Sequence, residues 1–170
     1  NSKLNKKFHE GPVAFNAAGD FMIFTRNNYS GQSIEGVVTL QLFSAQLVNG
    51  NWTEPKALPF NSDEYSVGHA SISADGKSLY FASNMPGGIG GVDLYKAAIL
   101  EDGTYGEAVN LGASVNTEGD ELFPFIHSES EMLFFASNGR VGLGGLDVYM
   151  AQVKKDNSVG KVINLGAPVN

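Results

Sequence analysis

FASNMPGGIGGVDLYKA runs from Phe81 to Ala97, and a near copy, FASNGRVGLGGLDVYMA, runs from Phe135 to Ala151. The offset is 54 residues. It holds for FASN, for the GG-x-D-x-Y core (Gly90–Tyr95 and Gly144–Tyr149) and for NLGA-x-VN (Asn110–Asn116 and Asn164–Asn170). Three anchors at one offset mark an internal duplication. A weaker copy lies upstream. FMIFTRNN (Phe21–Asn28) fits SLYFASNM and MLFFASNG, LFSA (Leu42–Ala45) fits LYKA and VYMA, and WTEPKAL (Trp52–Leu58) fits YGEAVNL. That copy carries five extra residues, its glycine phrase has decayed to YSGQSIEGVVTLQ, and Gln41 stands where Asp93 and Asp147 stand.

Each copy has one grammar. A short apolar run such as HASIS meets a turn, ADGK, whose Asp75-Gly76 pair suits the positive backbone angles of a tight hairpin. SLYFAS, rich in strand formers, follows. Then come the glycine phrase, VDLYKAAIL, a polar turn and AVNLG, which makes four short strands. Helical periodicity is absent, and runs such as LYFA and MLFFA are apolar without alternation, as in strands covered on both faces. Four strands per repeat of this length predict β-propeller blades. The expected fold is all-β, with three four-stranded antiparallel blades over residues 8–61, 62–116 and 117–170. A closed ring needs about four to eight blades, so three are expected to be half of a six-bladed propeller, completed by further sequence or by a second copy in a homodimer. The chain begins at Asn1 and stops at NLGAPVN, where the second copy hands over to the third. The start at Asn1 rather than Met leads us to expect a processed or excised piece.

At 170 residues, with 42% hydrophobic and 17% charged residues, the composition is that of a globular domain. No apolar window is long enough to span a bilayer. There are no cysteines, which excludes disulfides, thiol nucleophiles and thiolate metal sites. A net charge of −7 without a basic stripe argues against nucleic acid. Lys3, Lys6 and Lys7 read as a solvated basic tail.

SISADGKSLYFAS followed by GGVDLYKA resembles the WD-like propeller repeat of the TolB type. The match is specific in the second copy, good in the third, where IHSESEM lacks Asp-Gly, and loose in the first. The glycine phrase together with EAVNLGASVNTEGDE, and the opening FHEGPVAF before FTRNN, resembles the propeller section of OmpA-family envelope proteins of Bacteroidota, such as the PorE-type component of the type IX secretion system. That resemblance implies a periplasmic, outer-membrane-associated protein. It carries no peptidoglycan-binding residue to this chain, because the flanking domains that would hold one are not in it.

The chemistry-bearing candidates are few. GGIGGVD lacks the following helix and the Gly-Lys-Ser/Thr of a phosphate loop. Gly87, Gly88, Gly90 and Gly91, with Gly144 and Gly145 in the copy, are expected to give a turn of positive angles. Asp93 and Asp147 are expected to accept its backbone N–H groups. NTEGDE gathers Glu118, Asp120 and Glu121, a set of hard oxygens that would suit calcium without EF-hand spacing; otherwise it is a solvated turn. His9, His69 and His127 share no position in the repeat and form no zinc motif. No G-x-S-x-G elbow is present. SADGK resembles the Asp-box of sialidases, itself a structural turn. Carboxylate pairs for glycoside cleavage depend on three-dimensional geometry, but the acids fall mostly in turns. Trp52, at the place of Tyr105 and Val159, is expected between blades, with sugar stacking as the alternative. In a propeller the starts of first strands line the channel, which puts Glu10, His69 and Phe123 near its mouth.

The expectation is therefore a non-enzymatic scaffold without a cofactor. Its partners would be envelope or secretion-system proteins, or the missing half of its own propeller. A carbohydrate-acting or peptidase-associated propeller and a calcium-dependent adhesion module remain alternatives.

Overall fold

The computed structural model describes residue 4 and residues 10–28, 37–154, 156 and 158–170. Lys3, Lys6, Lys7, Phe8, His9 and most of the decayed glycine phrase (29–36) lie outside the described residues.

Thirteen strands among the described residues form three antiparallel sheets with no helix. The first holds β1 (Glu10–Phe15), β2 (Phe21–Asn27) and β3 (Leu40–Val48), with β4 (Asn51–Trp52) and β5 (Lys56–Ala57) both paired to β3. The second holds β6 (Val67–Ile72), β7 (Ser78–Ser83), β8 (Asp93–Ala98) and β9 (Val109–Asn110). The third holds β10 (Glu121–Ile126), β11 (Met132–Ser137), β12 (Asp147–Gln152) and β13 (Ile163–Asn164). Each sheet is a meander whose strands follow chain order, as hairpin connections dictate. The fourth strand is short and broken in every copy. Leu47 pairs Trp52, Ile99 pairs Tyr105 and Val153 pairs Val159, while Ala57, Asn110 and Asn164 pair Phe43, Tyr95 and Tyr149.

The sheets stack face to face. Ile23, Leu42, Leu58 and Phe60 pack on Val67, Leu79, Phe81 and Tyr95 between the first and second. Tyr80, Ala82, Leu94 and Val115 pack on Ile126, Leu133, Phe135 and Tyr149 between the second and third. The duplicated phrase supplies the same aromatic pair twice: Phe81 stacks on Tyr95 at 5.8 Å, and Phe135 on Tyr149 at 5.9 Å. Burying each such ring stabilises the fold by about 1.5–3 kcal/mol.

The central strand β7 is buried along both faces, as its unbroken apolar run predicts. Its repeat partner β11 is not. Leu133, Phe135 and Ser137 are buried, whereas Met132, Phe134 and Ala136 are only half-buried. The same composition meets a neighbouring blade on both sides in one case and on one side in the other.

Trp52 differs from its expected place between blades. It lies on the face of the first sheet turned away from the second, against Met22, Phe24 and Ala45 and tilted on Phe15 at 6.0 Å. Tyr105, one repeat later, takes the interblade role and meets Phe60 edge-on at 5.7 Å. The two lie on the same face of their own blades: Met22 and Phe24, beside Trp52, stand where Leu79 and Phe81 stand beside Tyr105, but no described blade precedes the first.

Candidate functional site: the converging inner strands and the interblade clasp

The first strands β1, β6 and β10 run side by side, and each carries a register break, between Glu10 and Val13, Gly68 and Ser71, and Leu122 and Phe125. A bulge adds a residue and re-aims side chains toward the sheet rim. In the second and third sheets the added turn is held in the left-handed region by a non-glycine residue, His69 at φ 56° and Phe123 at φ 52°. Strain of this kind persists where surrounding contacts fix it. Here the His69 N–H donates to Thr25 Oγ1 of the first sheet (3.0 Å), and the two strained side chains stack on each other, ring centres 4.1 Å apart. Burial holds the His69 imidazole pKa below its ordinary value. Its Nδ1 is buried without a hydrogen-bond partner among the described residues. Glu10, at the place of Val67 and Glu121 two residues before that turn, faces Arg26 at 3.6 Å on the first sheet.

Beside this stack a groove runs along the inner edges of all three sheets, lined by Val13, Phe15, Ala70, Pro124 and Phe125. Phe123 and Phe125 are 50% and 55% exposed, and Phe15 51%, so large apolar side chains meet solvent on the largely exposed β1 and between buried residues of β10. Sequence reasoning pointed to His69 and Phe123 but missed Val13, Phe15 and Phe125. The bulge shifts the alternation, and nothing in a single strand's pattern announces that.

The glycine phrase sits at the other structural centre. Asp93 accepts N–H groups from Ile89 and Gly90 and the Asn110 side-chain amide (2.8 Å), and Asp147 accepts those of Leu143 (2.7 Å) and Gly144 (3.1 Å). The glycines do not serve as expected. Within Gly87–Gly91 only Gly87 has a positive φ, and Gly144 and Gly145 have none. Gly90 and Gly91 are needed for space: a Cβ on Gly90 would collide with the carbonyls of Thr117 and Gly119, and one on Gly91 with Asp120 Oδ1. In the third copy a Cβ on Gly144 or Gly145 would meet nothing within 4 Å. Asp75 and Gly76 form the β6–β7 hairpin. Gly76 has φ 70°, and the Ser73 hydroxyl and Lys77 N–H on Asp75 hold its carboxyl below the usual range.

What fills the cradle at Gly90–Gly91 is NTEGDE. Gly91 N–H donates to Gly119 O (2.9 Å), Val92 N–H to Asp120 Oδ1 (3.0 Å), and Glu121 N–H to Val92 O (2.7 Å). Asp120 also accepts from Asn138 (3.0 Å). Glu121 is fully buried and accepts from Thr117 N–H and Oγ1 (2.8 and 2.7 Å) and from Ser137 Oγ (2.6 Å). Glu118 is exposed. The stretch is thus not a solvated turn: Asp120 and Glu121 are spent on backbone and hydroxyl donors, because buried N–H groups need acceptors. Among the described residues no group of three or more His, Asp or Glu side chains is placed to hold a metal ion.

The clasp includes residues the sequence reading did not single out. Asn116 binds both backbone groups of Leu94, Asn61 those of Leu42 and Asn170 those of Val148. The signal was present as the terminal Asn of NLGA-x-VN, twice over. A separate cleft between the second and third sheets is lined by Asp75, Tyr80, Lys96, His127 and Glu131. Burial, with Glu131 and Asp75 nearby, pushes the Tyr80 hydroxyl up to about 12, and burial lowers Lys96, whose Nζ lies 5.3 Å above the Tyr80 ring.

The chain matches no protein-family profile. It matches no curated protein in sequence. Solved structures do match. TolB from Acinetobacter baumannii is 16% identical over 95% of this chain and 33% of its own, with a TM-score of 0.61. The putative TolB from Agrobacterium tumefaciens is 18% identical over 95% of this chain and 50% of its own, with a TM-score of 0.57. The fold is a TolB-like β-propeller. The chain spans a third to a half of the length of these two structures. A puromycin-hydrolyzing peptidase of Mycobacterium tuberculosis shares the fold at 15% identity over 94% of this chain and 22% of its own, with a TM-score of 0.57.

Proposed function

We propose that this protein is a propeller scaffold that binds other proteins through the groove along its converging inner strands. The exposed row Phe15, Phe123 and Phe125, with Val13 between sheets, carries this reading. Apolar side chains left at a rigid rim lose water on binding, and aromatic anchors of this size dominate interface energies. The strands that frame the groove are the inner edges of their sheets, a setting that suits an extended partner segment. The TolB-like fold and the resemblance of the glycine phrase to envelope propellers support a periplasmic, outer-membrane-associated setting. A component of the type IX secretion or gliding machinery is the specific form of this proposal, with OmpA-family relatives in Bacteroidota. Photo-crosslinking amino acids at Phe123 and Phe125 are expected to capture envelope proteins in the native cell, and the same probe at Val109 on the outer strand is not. Equal capture from both places sinks the proposal.

A peptidase-associated propeller is the second reading, favoured by the shared fold of the puromycin-hydrolyzing peptidase. In that case the groove guides substrate to a catalytic domain elsewhere. Among the described residues the Asp75, Asp102 and Asp156 carboxyls are held below their ordinary value, each by the turn hydroxyl of Ser73, Thr104 or Ser158. Perturbation by a local turn bond is a structural effect, not a tuned acid–base pair.

A further inference from the structure

We propose that the seam between the second and third blades holds a site for a small aromatic carboxylate, whose ring takes the place that Tyr105 fills one seam earlier and whose carboxylate meets Lys96. The internal repeat supplies the comparison. In the first seam Phe60, just before the clamping Asn61, stacks on Phe81 at 5.0 Å and meets Tyr105 edge-on at 5.7 Å. The Tyr105 hydroxyl lies beside Ser44. In the second seam the same places hold Val115, just before Asn116, and Val159, which pairs Val153 as Tyr105 pairs Ile99. Two rings are thus replaced by two valines, and close-packed blades do not absorb a loss of that size. A cleft of about 690 Å³ opens beside Val159, lined also by Ala97, Leu111, Ser114 and Lys96. That volume falls within the range of small-molecule sites, roughly 300–1,000 Å³.

Lys96 gives the cleft its sign. It stands where the other blades have Ser44 and Met150, and Tyr80, 5.3 Å beneath its Nζ, stands where they have Ile23 and Phe134. Neither other copy brings a charge to this place. Burial lowers the pKa of the Lys96 ammonium, as expected for a cation held between two blades. Lys96 and Ser78 line both this cleft and the polar one of Asp75 and Glu131, so the two meet there. In the first seam a neutral hydroxyl, that of Tyr105, lies beside the neutral Ser44. Where Lys96 replaces Ser44, the matching group is an anion. The other charged residue at the apolar cleft, Glu107, is exposed, where water and salt screen it. Asp75 is engaged by the Ser73 hydroxyl and the Lys77 N–H. A carboxylate on the ring therefore gains from the half-buried cation, whereas an amine on it is repelled.

The test uses the full chain, isotope-labelled for NMR, with phenylacetate as the probe. Saturable amide shifts at Ala97, Leu111 and Val159 are expected. The Lys96 side-chain titration is expected to move upward, because a bound anion favours the charged amine. Phenylacetamide keeps the ring and loses the charge, and is expected to bind about tenfold more weakly. Lys96→Met is expected to weaken the acid by about the same factor and to leave the amide unchanged. Val159→Tyr restores the ring of the first seam and is expected to abolish binding of both. Each variant carries a residue that another blade already holds at that place, and the comparison of acid with amide needs no variant. No shift at millimolar phenylacetate overturns the proposal. Equal affinity for acid and amide overturns it too, since Lys96 then only packs on Tyr80. So do shifts confined to Lys56 or Lys161, which would mean adventitious binding at surface lysines, and so does binding that survives Val159→Tyr. None of these readouts involves the inner groove, so this proposal and the scaffold reading fail separately.

Discussion

Asn116 clamps Leu94 at two points: its Oδ1 accepts the Leu94 N–H at 2.8 Å and its Nδ2 donates to the Leu94 carbonyl at 3.0 Å. The side chain imitates one more strand residue beside β8, so neither backbone group of Leu94 is left without a partner. Asn116 is 1% exposed, and water cannot replace it. Asn116→Ala strands an N–H and a C=O at about 1–3 kcal/mol each. A loss of about 2–4 kcal/mol is expected in urea denaturation. Asn116→Asp keeps the acceptor but turns its other carboxylate oxygen on the Leu94 and Asn110 oxygens in a buried site, and is expected to cost at least as much as Asn116→Ala.

Matched glycines give a second prediction. Gly90→Ala drives a methyl into the Thr117 and Gly119 carbonyls and is expected to cost about 2–3 kcal/mol through overpacking. Gly144→Ala, at the same place one repeat later, meets nothing and has no positive φ. It is expected to raise stability by about 0.5–1 kcal/mol by narrowing the unfolded ensemble. Equal effects in thermal melts would show that the cradle is not an interblade contact.

Glu121→Ala removes the acceptor for the Thr117 N–H and for two hydroxyls in a site with no exposure. A cost of about 3 kcal/mol is expected from the donors left without partners. Hydrogen exchange at Thr117 and Glu121 is expected to rise more than exchange at β7, because the damage is at the second–third blade seam.

His69 predicts a pH dependence. Burial lowers its folded pKa below 6.5, so between the folded value and 6.5 the unfolded chain holds more protons. Stability therefore rises with pH through that window and is lost as pH falls through the folded pKa. Asp75, depressed from 3.8, acts in the same direction but only at lower pH. His69→Phe is expected to flatten the urea midpoint in the window just below pH 6.5 and to leave the acid limb intact. An unchanged slope would put the titration elsewhere.

Chelation separates scaffold from calcium module. With Asp120 and Glu121 engaged by protein donors, excess EDTA is expected to move Tm by less than about 1 °C, and millimolar calcium no more, since only a ligand of the folded state shifts it.

Much of this architecture was legible in the chain. The 54-residue repeat, the Asp-Gly hairpin and the apolar runs of β7 and β11 specified four-stranded blades, because hydrophobic pattern and turn chemistry act locally. The recurrence of Asn116 and Asn170 marked the clamp without revealing it. Other features were not legible. The left-handed His69 and Phe123 come from bulges fixed by another sheet, and the groove residues Phe15 and Phe125 are exposed only because three inner strands converge.

By itself the sequence determined the fold class, the blade count of this chain and the place of every glycine. Only the tertiary structure decided what those glycines are for. At Gly90 and Gly91 they make room for the next blade's backbone, and at Gly144 and Gly145 the same letters face open space. Strand and turn signals are encoded residue by residue, but a close approach of two backbones is a property of the pair, and the repeat states only one of its partners.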